Sequence, residues 1–463
     1  MLAGMSSQRV IVVGGGAAGF FAAITCAEAA PDCEVTVLEK GAQFLSKVRI
    51  SGGGRCNVTH ACFDGRELAE RFPRGEQALI SAFHRFQAKD TVTWFESRGV
   101  KLKVETDGRM FPTTDSSQTI IDCLLRAATA AGVKLVANCG VTSVVRREEG
   151  GFEVGLAGGD SSHSTRSSKL QARSSRETPS TKFQPESQSP GSAGNLGLGP
   201  SPEAEGESLA CDRLLLATGG CRTPALGQLA VSLGHTLAPP VPSLFTFHIE
   251  MPWLRELAGI SVAEVEAAVP SAGLRERGAL LVTHWGLSGP VILRLSAWGA
   301  RELHKQDYRF PLRVNWLPRL SPDAIAAALQ SRRKTQPARQ VINAPLAPLP
   351  ARLWEQLVNA AGIPRETRWA ALSRTAQHKL LEQLIRTELP VTGKSLNKDE
   401  FVTCGGVPLS EVNFKTMESR ICPGLHFAGE LLDIDGITGG FNFQAAWTTG
   451  WIAGRAMASG RLS

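Results

Sequence analysis

The first forty residues change their hydrophobic period in the order strand, turn, helix, strand. The apolar run at 10–13 predicts a buried strand, and the stretch 20–30 predicts a helix that ends at Pro31. A second β-branched run follows at 34–38. This alternation favours an α/β fold, with a parallel sheet covered by helices.

The rest of the chain separates into a strand-rich part and a helix-rich part. Strand-like runs occur at 278–283 and 309–314, and amphipathic helical patterns at 322–330, 351–361 and 374–389. Glycine-rich turns and a closing helix then return near the end. We therefore predict a first domain over 1–240 and 401–463. A second domain, β-rich over 241–320 and helical over 321–400, is inserted into it.

One stretch departs from globular composition. Residues 158–208 are rich in Ser, Gly, Pro and scattered charge, with few large apolar side chains. Such a segment buries too little surface to offset its ordering entropy. We predict a flexible insertion between two strands.

Composition narrows the class of protein. The chain has 463 residues, of which 43% are hydrophobic and 20% are charged, so it can bury a sizeable core. Its ten cysteines form no CxxC pair, which favours free thiols in a cytoplasmic protein and no metal site. No long apolar run lacks glycine breaks, so no membrane span is expected. The net charge of +7 favours acidic partners such as phosphates or nucleic acid.

The turn after the first strand has the spacing of a dinucleotide fingerprint. Gly14, Gly16 and Gly19 form G-x-G-x-x-G, and Glu39 ends the second strand. The glycines allow a tight turn, close approach of a pyrophosphate and close helix packing, while the acid can accept hydrogen bonds from a ribose diol. The N-terminus of the helix offers partial positive charge to the phosphates.

Further glycine turns favour FAD over NAD as the cofactor. A second loop at 47–57 is dense in hydrogen-bond donors and can follow the remaining phosphate and ribityl chain of a longer cofactor. Strands at 214–218 and 423–428 end in glycine turns, and a third turn at 439–440 opens the closing helix. The N-terminus of that helix can stabilise the anionic reduced flavin.

These motifs resemble the BaiN/RdsA-type family of NAD(P)/FAD-dependent flavoproteins, from near the N-terminus to the closing helix. The most specific stretches are 51–59, 108–112, 283–290, 415–419 and 428–436. His60 stands where the family often has Asn, and its role is left open.

The resemblance implies a discontinuous Rossmann-like FAD-binding domain of the glutathione-reductase type, with an inserted substrate domain. On the matching positions, Glu39 would hold the adenosine ribose, Val141 the adenine edge and Glu430 the ribityl hydroxyls. The full set expected to bind the cofactor is Gly14, Gly16, Ala17, Ala18, Gly19, Glu39, Lys40, Lys47, Gly54, Arg55, Cys56, Asn57, Val141, Thr218, Gly219, Gly429, Glu430, Asp435, Gly440, Phe441, Asn442 and Phe443.

A flavin supplies the hydride chemistry, so the protein has to position the substrate and donate protons. The main candidate catalytic residues are Cys56, His284 and Asp433, with Asp435 and His426 also considered. Arg55 is expected to lower the pKa of Cys56. Neither a Ser-His-Asp triad nor HExxH is apparent.

No second G-x-G-x-x-G follows a strand, so NAD(P)H would dock transiently as electron donor. The resemblance includes reduction of a uridine in large-subunit rRNA to dihydrouridine, which suits a basic chain. Reduction of a small enone or steroid-like substrate, oxidation of an amine such as aminoacetone and a non-enzymatic FAD-bound scaffold remain alternatives. Candidate RNA contacts are Arg332, Arg333, Lys334, Arg339, Arg365, Arg368 and Arg374.

Overall fold

The computed structural model of the chain describes residues 7–157, 207–221, 224–395 and 402–459. Its strands are β1 Arg9–Val13, β2 Glu34–Leu38, β3 Thr59–His60, β4 Leu102–Val104, β5 Arg109–Pro112, β6 Lys134–Val136, β7 Val141–Arg146, β8 Phe152–Leu156, β9 Ser208–Cys211, β10 Arg213–Leu216, β11 Ala238–Ser243, β12 Thr246–His248, β13 Ser261–Val269, β14 Leu274–Thr283, β15 Gly286–Ser288, β16 Phe310–Asn315, β17 Thr387–Val391, β18 Gly393–Ser395, β19 Val402–Gly406, β20 Val412–Asn413, β21 Glu418–Ser419 and β22 Leu425–Phe427. Its α-helices are α1 Ala17–Ala29, α2 Ser46–Gly54, α3 Gly65–Ala69, α4 Glu76–Phe83, α5 Ala88–Glu96, α6 Ser117–Ala130, α7 Pro224–Val231, α8 Pro252–Glu256, α9 Pro290–Trp298, α10 Ala300–Lys305, α11 Pro322–Thr335, α12 Ala351–Ala360, α13 Arg374–Arg386 and α14 Phe441–Ser459. Short 3-10 helices are Pro270–Ala272, Val341–Asn343, Trp369–Ala371, Leu409–Glu411 and Gly429–Leu431.

The N-terminal and C-terminal parts of the chain share one sheet, in the order β20-β21-β22-β10-β1-β2-β6. From β22 to β6 the strands are parallel, and β20 and β21 form an antiparallel edge. The side chains of β10 are all buried, as expected for a parallel sheet covered on both faces. The predicted α/β class is confirmed.

Helices α1 and α14 pack closely against each other beside this sheet. A Cβ atom at Gly450 would collide with the carbonyl oxygen of Ala18, and one at Gly454 with that of Ala22. The two glycines therefore allow the helix backbones to touch.

A second sheet, in the order β17-β16-β13-β14-β15-β12-β18, is antiparallel. One group of buried apolar side chains draws mainly on residues before 245 and after 402, and a second group lies within 245–391. The chain thus has two large cores, while the predicted boundaries at 240 and 400 stay a prediction.

Two predictions of secondary structure are corrected. The helix expected at 374–389 ends at Arg386, because Thr387–Val391 instead pairs with β16 as β17. The helix expected at 322–330 continues to Thr335. The predicted insertion at 158–208 lies outside the described residues, apart from Ser208, which begins β9, and the residue before it.

Candidate functional site

A cavity of about 390 Å³ lies where four parallel strands end. Its walls include the residues that directly follow β1, β2, β10 and β22. Ligands of open α/β sheets bind in such crevices, outside the carboxyl ends of the strands. The second glycine loop, the turn before α14 and the first residues of α14 complete the walls.

The three fingerprint glycines are required for different reasons. Gly14 has φ +110°, and a Cβ atom there would collide with the carbonyl oxygen of Ala217. A Cβ atom at Gly19 would collide with the carbonyl oxygen of Gly14. At Gly16, in contrast, a Cβ atom would meet no protein atom within 4 Å, and this residue lines the cavity. Only Gly16 therefore keeps free a space that a ligand can use.

Glu39 is held at the cavity wall by backbone donors. Its two carboxylate oxygens accept hydrogen bonds from the N–H groups of Gly15 and Gly41, both at 2.8 Å. Each oxygen keeps a further lone pair for a ligand hydroxyl.

An ion pair joins the second glycine loop to the turn after β22. The ammonium group of Lys47 contacts one carboxylate oxygen of Glu430. The other oxygen accepts a hydrogen bond of 2.8 Å from the N–H group of Thr403. Lys47 and Glu430 both line the cavity, so their ion pair joins two of its walls.

The turn before α14 is fixed to the second glycine loop. With its amide suitably oriented, Asn57 donates to the carbonyl oxygen of Thr59 at 3.0 Å and accepts from the N–H group of Gly440 at 2.9 Å. The buried Gln444 accepts from the hydroxyl groups of Thr59 and Thr91, at 2.6 and 2.9 Å. These bonds hold the N-terminus of α14 at the cavity.

Many of the predicted cofactor residues line this cavity. They are Gly14, Gly16, Ala17, Ala18, Glu39, Lys47, Asn57, Thr218, Gly219, Gly429, Glu430, Gly440, Asn442 and Phe443. The other predicted residues are outside its lining: Gly19, Lys40, Gly54, Arg55, Cys56, Val141, Asp435 and Phe441. The apolar lining residues Leu45, Leu244, Val402, Ile434 and Ile437 were not predicted.

The expected activation of Cys56 by Arg55 is wrong. The guanidinium group of Arg55 pairs with Glu105 at 2.6 Å and lies 4.0 Å from the centre of the Phe111 ring. Cys56 is fully buried, and this burial raises the pKa of its thiol to about 12. At neutral pH the thiol is therefore protonated and shielded from solvent.

The other candidate proton donors also lie outside the cavity lining. Asp433 pairs with Arg301 at 2.7 Å, and His284 is exposed in the turn between β14 and β15. His426 is buried in β22, where loss of hydration lowers the pKa of its imidazole to about 4. Their proposed catalytic roles stay predictions.

Asp435 takes part in a buried junction between the two cores. Its carboxylate is bound by the guanidinium group of Arg74 and accepts a hydrogen bond of 2.6 Å from Ser243. Arg74 also donates to the carbonyl oxygen of Ala297, at 2.5 Å. Burial raises the pKa of the Asp435 carboxyl group, while Arg74 acts against this rise.

Val141 and Lys40, both predicted to bind the cofactor, and His60, whose role was left open, all lie outside the cavity lining. Val141 begins β7 and pairs with β8, and Lys40 is exposed next to Glu39. His60, the departure from the family pattern, stacks on the ring of Phe441 with centroids 4.7 Å apart.

A buried Ser–His–Glu chain links the edge of the parallel sheet to the end of α7. His235 lies 2.8 Å from the Ser419 hydroxyl and 2.7 Å from the Glu411 carboxylate. The Ser419 oxygen also accepts from the N–H groups of Ile421 and Cys422, at 2.9 and 2.7 Å. Both of its lone pairs are thus engaged, so this chain fastens the turn and does not present a nucleophile.

The described part of the chain has neither a metal-binding cluster nor a helix that could span a membrane. Its His, Cys, Asp and Glu side chains form no group of three or more that could hold a metal ion. None of its helices combines the length and the apolar character needed to cross a membrane.

Comparison with known proteins now defines the class. The family model for the HI0933-like protein Rossmann domain matches residues 8–181, and the model for the HI0933-like protein barrel and H2TH domain matches 241–402. The chain belongs to this family of flavoprotein oxidoreductases, and the BaiN/RdsA-type resemblance is confirmed. The protein is an FAD-dependent oxidoreductase.

Particular relatives match nearly the whole chain. The ribosomal RNA dihydrouridine synthase of Escherichia coli is 28% identical, over 99% of this chain and 100% of its own length. The 3-dehydro-bile acid delta(4,6)-reductase of Clostridium scindens is 27% identical, over 97% and 99%. The solved structure of a 3-ketosteroid-delta4-(5alpha)-dehydrogenase from Rhodococcus jostii RHA1 covers 99% of both chains, at 14% identity and a TM-score of 0.47.

Proposed function

We propose that this protein binds FAD in the cavity and uses electrons from NAD(P)H to reduce a C=C bond conjugated to a carbonyl group. The observation that carries the proposal is the convergence of glycine turns from both ends of the chain on one cavity. The open space beside Gly16 fits a group that approaches the backbone closely.

The walls of the cavity match the parts of an elongated dinucleotide. Glu39 would accept hydrogen bonds from the adenosine ribose, and the N-terminus of α1, which has no acidic residue in its first turn, would face the pyrophosphate. Asn57 and Gly440 would lie at the flavin ring, near the N-terminus of α14. Bound there, FAD supplies hydride transfer to the conjugated C=C bond.

NAD(P)H would act as a transient donor. The sequence has no second G-x-G-x-x-G after a strand, so the nicotinamide would approach the flavin through the open cavity. Proton delivery is left to a side chain or a water molecule at the same face, because the three main candidate donors lie outside the cavity lining.

Uridine in large-subunit rRNA is our preferred substrate. Its C=C bond is conjugated to a carbonyl group, and two relatives are named as ribosomal RNA dihydrouridine synthases. Charge supports the choice: residues 324–379 hold nine Lys and Arg but only two Glu. This stretch alone thus carries as much net positive charge as the whole chain, and a polyanion would be attracted to it.

The helical part brings several of these cations together. Gln340 and Arg368 form an antiparallel bridge, and the N–H group of Trp369 donates to the carbonyl oxygen of Arg339. Arg333, near the end of α11, reaches the carbonyl oxygen of Ala370. We propose that Arg333, Arg339 and Arg368 belong to one surface that contacts RNA phosphates.

A small steroid-like enone is the second candidate substrate. The relative from Clostridium scindens carries the name of a bile acid reductase and matches this chain almost as well. A substrate of that kind would need the cavity but not the basic surface.

One anaerobic experiment tests the proposal. The flavin of the purified protein is reduced with NADPH or NADH, and rRNA from cells that lack the protein, or 4-androstene-3,17-dione, is then added. We expect flavin bleaching by the nicotinamide, reoxidation by the rRNA and new dihydrouridine in it. Reoxidation by the steroid alone would support the second candidate. A separate assay in air tests the oxidase alternative, since oxygen is then available to accept the electrons. Peroxide formation with aminoacetone in that assay, without consumption of NAD(P)H, would contradict the proposal in favour of an amine oxidase.

A further inference from the structure

Leu244 lines the cavity in an unusual backbone conformation. It connects β11 to β12 and has φ +57°, in the left-handed region. This region is unfavourable for a bulky residue and is normally occupied by Gly, Asn or Asp. Where such strain persists, the surrounding structure must enforce it, and it often marks a functional position.

Both neighbours of Leu244 are fixed by buried hydrogen bonds. The Ser243 hydroxyl donates a hydrogen bond to Asp435 at 2.6 Å. The N–H group of Phe245 donates to the buried hydroxyl of Ser296 at 2.9 Å. Phe245 is buried in the second core, whereas Leu244 packs against the first. The chain therefore crosses between the two cores at this residue.

Packing alone does not account for the leucine. Leu45 also lines the cavity at positive φ, but it is only 1% exposed, so the first core explains its side chain. Leu244 is only partly buried, and glycine would meet the backbone demand without strain. What leucine adds at this position is an apolar surface on the cavity wall, supplied by the segment that leads into the second core.

We propose that Leu244 is a specificity-determining residue whose side chain packs against the ring of the substrate while that ring lies on the flavin. This inference rests on the proposed function, and it names a residue that positions the substrate. The apolar side chains of Ile434 and Ile437 line the same cavity, and they would complete an apolar seat for a planar ring.

Two variants separate the side chain from the backbone conformation. Leu244→Ala removes the contact and keeps the strain, whereas Leu244→Gly removes both. We expect both variants to keep the FAD content of the wild type and to raise KM by at least about tenfold. Leu244→Gly should also melt at a higher temperature than Leu244→Ala, because only glycine relieves the backbone. The probes are in vitro transcribed large-subunit rRNA and 4-androstene-3,17-dione, and KM is measured with whichever the wild type reduces.

The control is Leu320→Ala, which shortens a leucine that is 41% exposed and lies outside the cavity lining. It should change neither KM nor FAD content. An unchanged KM in both Leu244 variants would overturn the inference, and so would loss of FAD from both, which would make Leu244 a cofactor contact. A wild-type protein that holds FAD but reduces neither probe would overturn the proposed function and the inference together.

Discussion

Single residues divide into those that shape the cavity and those that fasten its walls. Gly14 and Gly19 are required by neighbouring backbone atoms, whereas Gly16 faces open space in the cavity. Asp435, expected at the cofactor, instead pairs with Arg74. Sequence spacing identified the glycines, but it could not show which buried acid has an arginine as its partner, because that contact joins residues far apart in the chain.

Gly16→Val should abolish retention of FAD and leave the fold intact. Its side chain would enter the space from which a pyrophosphate reaches the backbone, without touching protein atoms at the Cβ position. Flavin absorbance and the far-UV circular dichroism of the purified variant measure the two effects. Gly14→Val is the comparison, since its Cβ atom collides with backbone and should impair folding as well. A Gly16→Val protein with normal flavin content would refute the role of this residue.

Asp435→Asn should destabilise the protein by about 3–5 kcal/mol, because it leaves the guanidinium group of Arg74 without its charged partner in a buried site. Denaturant unfolding of the FAD-free proteins measures the difference. Asp433→Asn is the matched control: its pair with Arg301 is partly exposed and should contribute no more than about 1 kcal/mol. Equal losses in the two variants would contradict the junction described above.

At the scale of elements, local sequence patterns predicted the parallel sheet and five of the helices, namely α1, α11, α12, α13 and α14. The predicted helix at 374–389 was too long at its C-terminal end, because its helical pattern continues past Arg386, where α13 ends. Residues 387–391 become a strand because β16 offers a partner. Such long-range pairing overrides local preference and is invisible in a single sequence.

The buried strand β22 should make stability depend on pH through His426. Burial lowers the pKa of this imidazole from 6.5 to about 4, so between these values the unfolded chain binds the proton more readily than the folded one. This difference in proton binding makes a contribution of roughly 3 kcal/mol to the free energy of unfolding. The contribution is fully present above about pH 6.5 and is lost as the pH falls towards 4. Glu418 and Arg213 face the ring with opposite effects.

Urea unfolding of wild type and His426→Gln at several pH values measures this contribution. The free energy of unfolding of the variant should fall less steeply between pH 6.5 and 4 than that of the wild type. If the free energy of unfolding fell equally with pH in the two proteins, the folded state would not be holding the His426 imidazole neutral.

At the scale of the whole molecule, two cores carry two kinds of surface. The first core supports the cavity, while positive charge is concentrated on the helical part of the second. Composition and spacing could predict the cofactor class from the glycine turns. They could not predict the apolar walls at Leu244 and Val402, because it is the long-range pairing of β11 with β19 that brings these two segments together at the cavity.

RNA binding should depend on salt through the basic surface. Changing Arg333, Arg339 and Arg368 together to Gln should lower the slope of log K against log salt by about 2–3, since each lost phosphate contact removes roughly one unit. Filter binding of large-subunit rRNA at 50–200 mM salt measures the slope.

Three exposed arginines that pair with carboxylates provide the control. Arg275 and Arg277 contact Glu266, and Arg313 contacts Glu388. Their joint replacement by Gln removes the same charge from the β-rich part. An equal change of slope in both triple variants would contradict a localised RNA surface.

The whole account depends most directly on the flavin content of the protein isolated gently from its cells. We predict a yellow protein with the absorbance bands of an oxidised flavin, from which heat releases FAD, in a ratio of about one per chain as expected for a single dinucleotide site. A colourless protein that also fails to bind added FAD would contradict it.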